Sequence, residues 1–310
     1  MTCHNCKIKC QRFGKDRKGN QRFRCCQRYK TYSERPEKLD GTYLPTEKIT
    51  QIIRLLVEGC SVRSIERVTG IHRDTILNVL MLAGERCERL LVSKIQGLPV
   101  NDVQYDEIWG FVGCKEKRNV SGDPTLGDGY CFVAIERNTK QVLTWHLRKR
   151  TARDTFAFTE KINEARQGQF QITTDGFKPY FDAVHHSLGT RVDFAQLVKV
   201  YAAPRDGEQR YSPSEVVDTV PLPRWGQPKL NRICTSHVER QNLSIRMGMR
   251  RMTRLTNAFS KKWENHYAAL SLYFAYYDFV RIHSSIRVTP AMETGITDHV
   301  WTLEELLGNI

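Results

Sequence analysis

Val103-Gln-Tyr-Asp106-Glu-Ile-Trp109-Gly-Phe-Val112 is the stretch on which the fold turns. Beyond Pro99 the periodicity changes from helical to strand-like, and these residues read as one strand with an aspartate in its middle. Two further strands follow, Tyr130 to Glu136 and Gln141 to Leu147, and Asn138-Thr139-Lys140 between them is short enough for a hairpin. A helix over about Arg153 to Ala165 comes next, then a strand from Phe170 to Thr174 that ends at Asp175-Gly176. A helix over about Pro179 to Ser187 and a strand near Phe194 to Tyr201 complete the pattern. Three antiparallel strands followed by alternating helix and strand predict an α/β chain with a mixed sheet covered by helices. Ribonuclease H-like folds are built in this order.

Carboxylates stand where such a fold needs them. Asp106 lies mid-strand, Asp175 at the carboxyl end of a buried strand, and Glu239 at the start of a long helix. Three converging carboxylates repel unless hard cations screen them, and an all-oxygen set suits Mg²⁺ or Mn²⁺. Two such ions about 4 Å apart would activate the attacking oxygen and stabilise the leaving oxygen of a phosphoryl displacement. Glu107 and Asp102 compete with Asp106 for the first position. Strand alternation sends Glu107 to the opposite face, and Asp102 precedes the strand.

The helix of Glu239 carries a second signal. At about 100° per residue, Glu239, Arg246 and Arg250 fall within about 20° of one line, with Arg254 slightly further round. Val238, Ile245, Met249 and Met252 gather opposite and are expected to bury against the sheet. One helix would thus present a metal-binding carboxylate and then a row of phosphate-contacting arginines. Trp109 and Phe111 read as core aromatics.

Upstream, residues 47 to 90 read as helices. Ile49, Ile52, Ile53 and Leu56 have helical spacing; Gly59 stops that helix, Ser61 caps a second of about Val62 to Thr69, and Gly70 ends it. Ile71-His72-Arg73-Asp74 leads into a third through Ile76, Leu77 and Leu80. Two short helices joined by a Gly-containing turn form a helix-turn-helix pattern, in which His72, Arg73, Thr75 and Asn78 are the candidates to meet base edges. Earlier still, five of the ten cysteines fall within the first 26 residues. Cys3-x-x-Cys6, a basic hairpin-like stretch through Gly14 and Gly19, and Cys25-Cys26 resemble a zinc ribbon that holds a structural Zn²⁺. Counting on from Cys25 reaches Arg28, so Cys3, Cys6 and Cys25 require Cys26, Cys10 or His4 as the fourth ligand.

The 310 residues carry a net charge of +14. Residues 1–40 hold 12 basic and 4 acidic side chains, and residues 240–262 hold 7 basic and none acidic, which leaves the rest near neutrality. Two concentrated basic segments suit a polyanion gripped in two places, nucleic acid before an acidic protein. The longest apolar run, Ala268 to Val280, is broken by Ser271 and Asp278 and is too short to span a bilayer. Met1-Thr-Cys-His-Asn-Cys6 has no apolar secretion signal, so a cytoplasmic, nucleoid-associated location is expected.

At these residues the chain resembles a bacterial insertion-sequence transposase with a DDE-type catalytic domain, of the small class that joins a zinc-finger and helix-turn-helix region to a nuclease. The segments that carry the likeness are Cys3-His-Asn-Cys6 with Arg22-Phe-Arg-Cys25, Asp106-Glu-Ile-Trp109-Gly-Phe-Val, Thr174-Asp175-Gly176 and His237-Val-Glu239-Arg-Gln-Asn242-Leu-Ser-Ile-Arg246. Tyr277-Asp-Phe-Val-Arg281-Ile-His283 with Thr289-Pro290-Ala291 is similar to a tail widespread among transposases and integrases. The resemblance implies that Asp106, Asp175 and Glu239 are the metal-binding triad, that DNA (element ends and target) is the partner, and that the protein works as a homo-oligomer. The expected organisation is a zinc-ribbon-like module over 1–40, a helix-turn-helix domain over 45–95, a catalytic domain over 100–290 and a tail over 291–310. Pro204, Pro213, Pro221, Pro223 and Pro228 mark an irregular surface insertion over about 204–236. Two rival functions share these features: an inactive DNA-binding regulator and a structure-specific nuclease.

Overall fold

The structure, a computed structural model, describes residues 6, 8–17, 21–33, 44–202, 215–253 and 256–308. By internal contacts the chain divides into Met1–Ile49 and Thr50–Ile310. In the first unit, β1 (Gln11–Lys15), β2 (Gln21–Arg24) and β3 (Thr31–Ser33) form an antiparallel sheet in that order. Gly14 takes a left-handed φ of 67°, where the register of β1 against β2 shifts. So small a sheet has little core: Cys10, Phe23 and Cys25 are buried together, with Cys6 and Tyr32 packed against them.

Three helices follow: α1 (Thr46–Val57), α2 (Val62–Thr69) and α3 (Arg73–Lys94). The predicted caps operate, since Ser61 Oγ accepts from the Ser64 amide and left-handed Gly70 closes α2 on the Glu66 carbonyl. His72 caps α3 by accepting from the Asp74 amide. Helix α3 has two halves with different work. Its first turns expose His72, Arg73 and Asn78, whereas Ala83, Cys87, Leu90 and Leu91 are buried.

The main sheet belongs to the second unit. Its strands are β5 (Asp102–Val112), β6 (Gly127–Glu136), β7 (Val142–Arg148), β9 (Phe170–Asp175), β10 (Val192–Tyr201) and β11 (Val216–Trp225), while β4 (Leu98–Pro99) and β8 (Arg166–Gln167) pair as a separate clip. The order is β11-β10-β9-β5-β6-β7. β5, β6 and β7 are antiparallel neighbours, β5, β9 and β10 run parallel, and β11 returns antiparallel. This six-stranded mixed sheet flanked by helices is consistent with the ribonuclease H-like expectation.

Helices α4 (Ala152–Ala165) and α5 (Pro179–Leu188) cover one face, where Tyr105 of β5 packs its ring 5.3 Å from Phe158 and 6.1 Å from Tyr180. Helix α6 (Ser236–Gly248) covers the other, docked where Gln104 Oε1 accepts from the amides of His237 and Val238. Helix α7 (Trp263–Phe279) is buried along most of its length, and its Asp278 accepts from the Val142 amide of β7. It also packs on α3. A Cβ added at Gly84 would lie 2.5 Å from the Ala268 Cα, so the two backbones all but touch. The short α8 (Pro290–Glu293) and α9 (Leu303–Gly308) finish the core, with Trp301 4.8 Å from Phe279 and Arg86 donating to the Leu307 carbonyl. Among the described residues, no helix is long and apolar enough to cross a membrane.

Two expectations need correction. The helix of Glu239 ends at Gly248, and Arg250–Met252 forms a separate 3₁₀ turn. The reason is a close approach: a Cβ at Gly248 would meet the Tyr273 ring at 2.9 Å, and one at Gly59 would meet the carbonyls of Met247 and Gly248 at 3.1 and 3.3 Å. The stretch expected as an irregular insertion contributes β11, a ten-residue strand. Pro221 and Pro223 fit there because β11 is an edge strand, where missing N–H groups cost no ladder bond. Residues 203–214 of that stretch lie outside the described residues.

Candidate active site

β9 stops at Asp175, but β5 continues to Val112. The last paired residues are Tyr105 and Thr174, so Asp106 and Asp175 follow side by side at the carboxyl end of β9. Asp106, Glu107 and Asp175 each bring one carboxylate oxygen into a cluster no wider than 4.8 Å.

Glu107 is the residue that sequence reasoning set aside. Alternation does turn it towards the α5 face, where it accepts from the Tyr180 hydroxyl at 2.9 Å and from Arg150. Its carboxylate nonetheless reaches the other two acids, because no strand pairs with β5 on this side once β9 has ended. Residue parity predicts a direction, and here the end of the neighbouring strand decides the contact.

Glu239 sits in the first turn of α6, close enough that its charge is felt at both Asp106 and Asp175. Its carboxylate accepts from Lys199 Nζ of β10 and from the Thr235 hydroxyl. One turn further along α6, Asn242 donates to Asp106 Oδ2 at 2.8 Å, while the Glu107 amide holds Oδ1 at 2.9 Å. The Phe177 amide holds Asp175 Oδ1 at 3.0 Å. Lys199 and Arg150 were not singled out in the sequence, and Asn242 was named only within the motif from His237 to Arg246. Only Asn242 left a signal, its i+3 spacing from Glu239 on one helix face.

Burial first, and then the charges of Glu107 and Asp175, push the Asp106 carboxyl up from 3.8 to about 8. Glu107 and Asp175 are raised too, again chiefly by burial, with the Arg150 guanidinium pulling both back. A buried cluster of acids with raised pKa values stabilises their anions poorly unless a cation joins them. The donors are all oxygen, which fits Mg²⁺ or Mn²⁺ and not a soft metal.

Other predicted residues fall in several places. His72, Arg73 and Asn78 are exposed on the first turns of α3, and Thr75 is half-buried there. Arg246 is half-buried and donates to the carbonyls of Met252 and Trp109, at 3.0 and 3.4 Å. Arg250 is exposed on the 3₁₀ turn, and Arg254 lies outside the described residues. Trp109 and Phe111, expected as core, are half-buried; Phe111 packs 4.8 Å from Phe259, and the Lys115 ammonium lies over Trp109. They stand on the stretch of β5 beyond the end of β9, so one side of the strand has no neighbour to cover them. His237 is held by Lys140 at 3.2 Å, and burial with that positive charge lowers its pKa to about 4.

In the first unit, Cys6 and Cys25 Sγ lie 3.4 Å apart. Cys10 shares the buried cluster of Cys25, Cys26 is exposed, and Cys3 and His4 lie outside the described residues. The turn after Cys25 is closed by amide bonds from Tyr29 to the Cys25 carbonyl and from Cys25 to the Lys30 carbonyl.

No family model matches the chain, and no curated protein does. Among solved structures it is similar to a cryo-EM structure of the piggyBac transposase synaptic complex with hairpin DNA, at 11% identity and a TM-score of 0.42. The likeness covers 89% of this chain and 73% of that one.

Proposed function

We propose that this protein is a DNA transposase of the DDE type, which binds the ends of a mobile element and carries out metal-dependent strand cleavage and strand transfer. The observation that carries the reading is the meeting of Asp106 and Asp175 at the end of β9, with Glu107 in the cluster and Glu239 facing it from α6. Asp106, Asp175 and Glu239 are the proposed ligands of Mg²⁺ or Mn²⁺, and Glu107 stands within reach of the same ion. Bound there, the ions would neutralise charge on the scissile phosphate and activate the attacking oxygen. The protein's own part is orientation. Asn242 and the Glu107 amide hold the two oxygens of Asp106, the Phe177 amide holds one oxygen of Asp175, and Lys199 with Thr235 positions Glu239.

In this reading α2 and α3 act as a helix-turn-helix whose His72, Arg73, Thr75 and Asn78 read bases, and Arg246, Arg250 and Arg254 are the proposed phosphate contacts. The protein works in the cytoplasm on chromosomal DNA, as a homo-oligomer that joins two ends. The test is incubation of a labelled duplex, taken from the DNA that flanks the coding sequence, with Mg²⁺ or Mn²⁺. The parent should nick at a defined terminus and join that end to a plasmid, and Asp175→Ala should do neither. Binding without cutting by both proteins would instead make the chain a regulator.

A structural Zn²⁺ in the first unit belongs to the same proposal. Tetrahedral thiolates at about 2.3 Å from zinc stand about 3.8 Å apart, close to the Cys6–Cys25 separation. Cys3, Cys6 and Cys25 would bind it with Cys26 or Cys10 as the fourth ligand. Purified protein should contain about one zinc per chain, and Cys25→Ser should lose most of it. Equal zinc content in the two proteins would end this assignment.

A further inference from the structure

A groove of about 890 Å³ lies between the α1–α3 region and the segment that joins α6 to α7. Arg63, Arg67 and Arg73 line one side, and Arg250, Arg251 and Lys261 the other. Asp74 is the one acidic side chain among its described lining residues. Single-sign charge contributed by several separate elements is a footprint for a polyanion.

Arg251 gives a second, independent observation. Its Nη1 donates to Ser260 Oγ at 3.0 Å and to the Asn265 carbonyl at 2.6 Å, both neutral acceptors. Among the described residues no carboxylate pairs with it. A guanidinium drawn into the fold without an anion is costly, and an anion in the groove would offset that cost.

We propose that this groove holds the phosphodiester backbone of duplex DNA, with Arg251 anchoring one phosphate and Arg63, Arg67 and Lys261 contacting its neighbours. Arg250 completes the same wall. The proposal rests on the DNA-acting reading above and adds that the α2–α3 pair and the segment joining α6 to α7 grip one DNA molecule within a single chain. Position favours DNA over an acidic peptide. Helix α6 ends at the groove and carries Glu239 nine residues earlier, a rise of about 14 Å at 1.5 Å per residue. That is about the span of four base pairs of duplex at 3.4 Å each, so DNA held in the groove lies within a few base pairs of the carboxylates.

The test measures binding of a fluorescent 30-base-pair duplex of arbitrary sequence across a salt series. The triple variant Arg63→Gln, Arg67→Gln, Lys261→Gln, all three at exposed positions, should lower the slope of log affinity against log salt by about 2.7, at about 0.9 per lost phosphate contact. Arg251→Met should weaken binding at least tenfold, and Arg251→Lys should keep most of it; if Arg251→Met does not fold, the triple variant decides alone. An unchanged slope in a triple variant whose parent still cuts DNA overturns the groove and spares the transposase reading. A parent that neither binds nor cuts duplex overturns both. A poly-glutamate peptide that binds as tightly as the duplex would make the groove a peptide site and end the proposal.

Discussion

Asp106→Asn should lose DNA cleavage by about a thousandfold or more and at the same time melt higher than the parent when both are measured at pH 8 without added metal. The first effect follows from removing a charge proposed to hold the metal, since a metal ion supplies several kcal/mol of transition-state stabilisation and each 1.36 kcal/mol is about tenfold in rate. The second follows from linkage. Asp106 holds its proton up to about 8 in the folded protein and releases it near 3.8 when the chain unfolds. Between those values the folded state binds the extra proton, so stability falls as pH rises through the window. Asparagine carries no such proton, and its one oxygen can accept from Asn242 or from the Glu107 amide, which hold the two oxygens of Asp106. The parent should therefore melt lower at pH 8 than at pH 5.5, the variant should show less of that slope, and Mn²⁺ should raise the parent's melting temperature more at pH 8. Thermal melts at the two pH values check this. A variant that melts below the parent at pH 8 would mean that Asp106 is a structural group and not one held for a cation.

The second large effect is expected far from the carboxylates. Gly84→Val places two methyl groups and a Cβ where the Cβ alone would already be 2.5 Å from the Cα, Cβ and within 2.6 Å of the carbonyl oxygen of Ala268. No rotamer relieves a clash with backbone, so α3 and α7 must separate. Overpacking typically costs about 1–3 kcal/mol and occasionally more, and this contact belongs at the upper end because both partners are main chain. The melting temperature should fall by about 6–10 °C for a unit of this size. Cleavage at 37 °C should fall with it, although residue 84 touches none of the acids. A fall of less than 2 °C would show that the two helices part easily.

Much of this was legible in the sequence because it depends on local periodicity. The strand holding Asp106, the termination of the next strand at Asp175, and the Ser61 and Gly70 caps each follow from a few adjacent residues, and each is found as read. What escaped depends on where two distant segments meet. Met249 and Met252 continue the apolar stripe of α6, but the contacts of Gly59 and Gly248 end the helix before them. Prolines 221 and 223 argue against a strand unless its place at the sheet edge is known. Glu107 has the parity of an outsider, and the length of β9 brings it into the acidic cluster. Arg251 looked like one basic residue among seven in its segment, and only the acceptors around it set it apart.

The continuous run of α3, from the exposed Arg73 to the buried Leu91, has a consequence for engineering. The stretch that would read DNA and the stretch that anchors the core are one rod with no linker between them. Inserting a single residue between Leu80 and Gly84 would turn everything before it by about 100° and advance it by about 1.5 Å. Arg73, Thr75 and Asn78 would then face a different direction, with every side chain unchanged. Under the proposed function, new recognition in this scaffold would have to be written by exchanging side chains on the first turns of α3, because a borrowed module of another length would arrive out of phase.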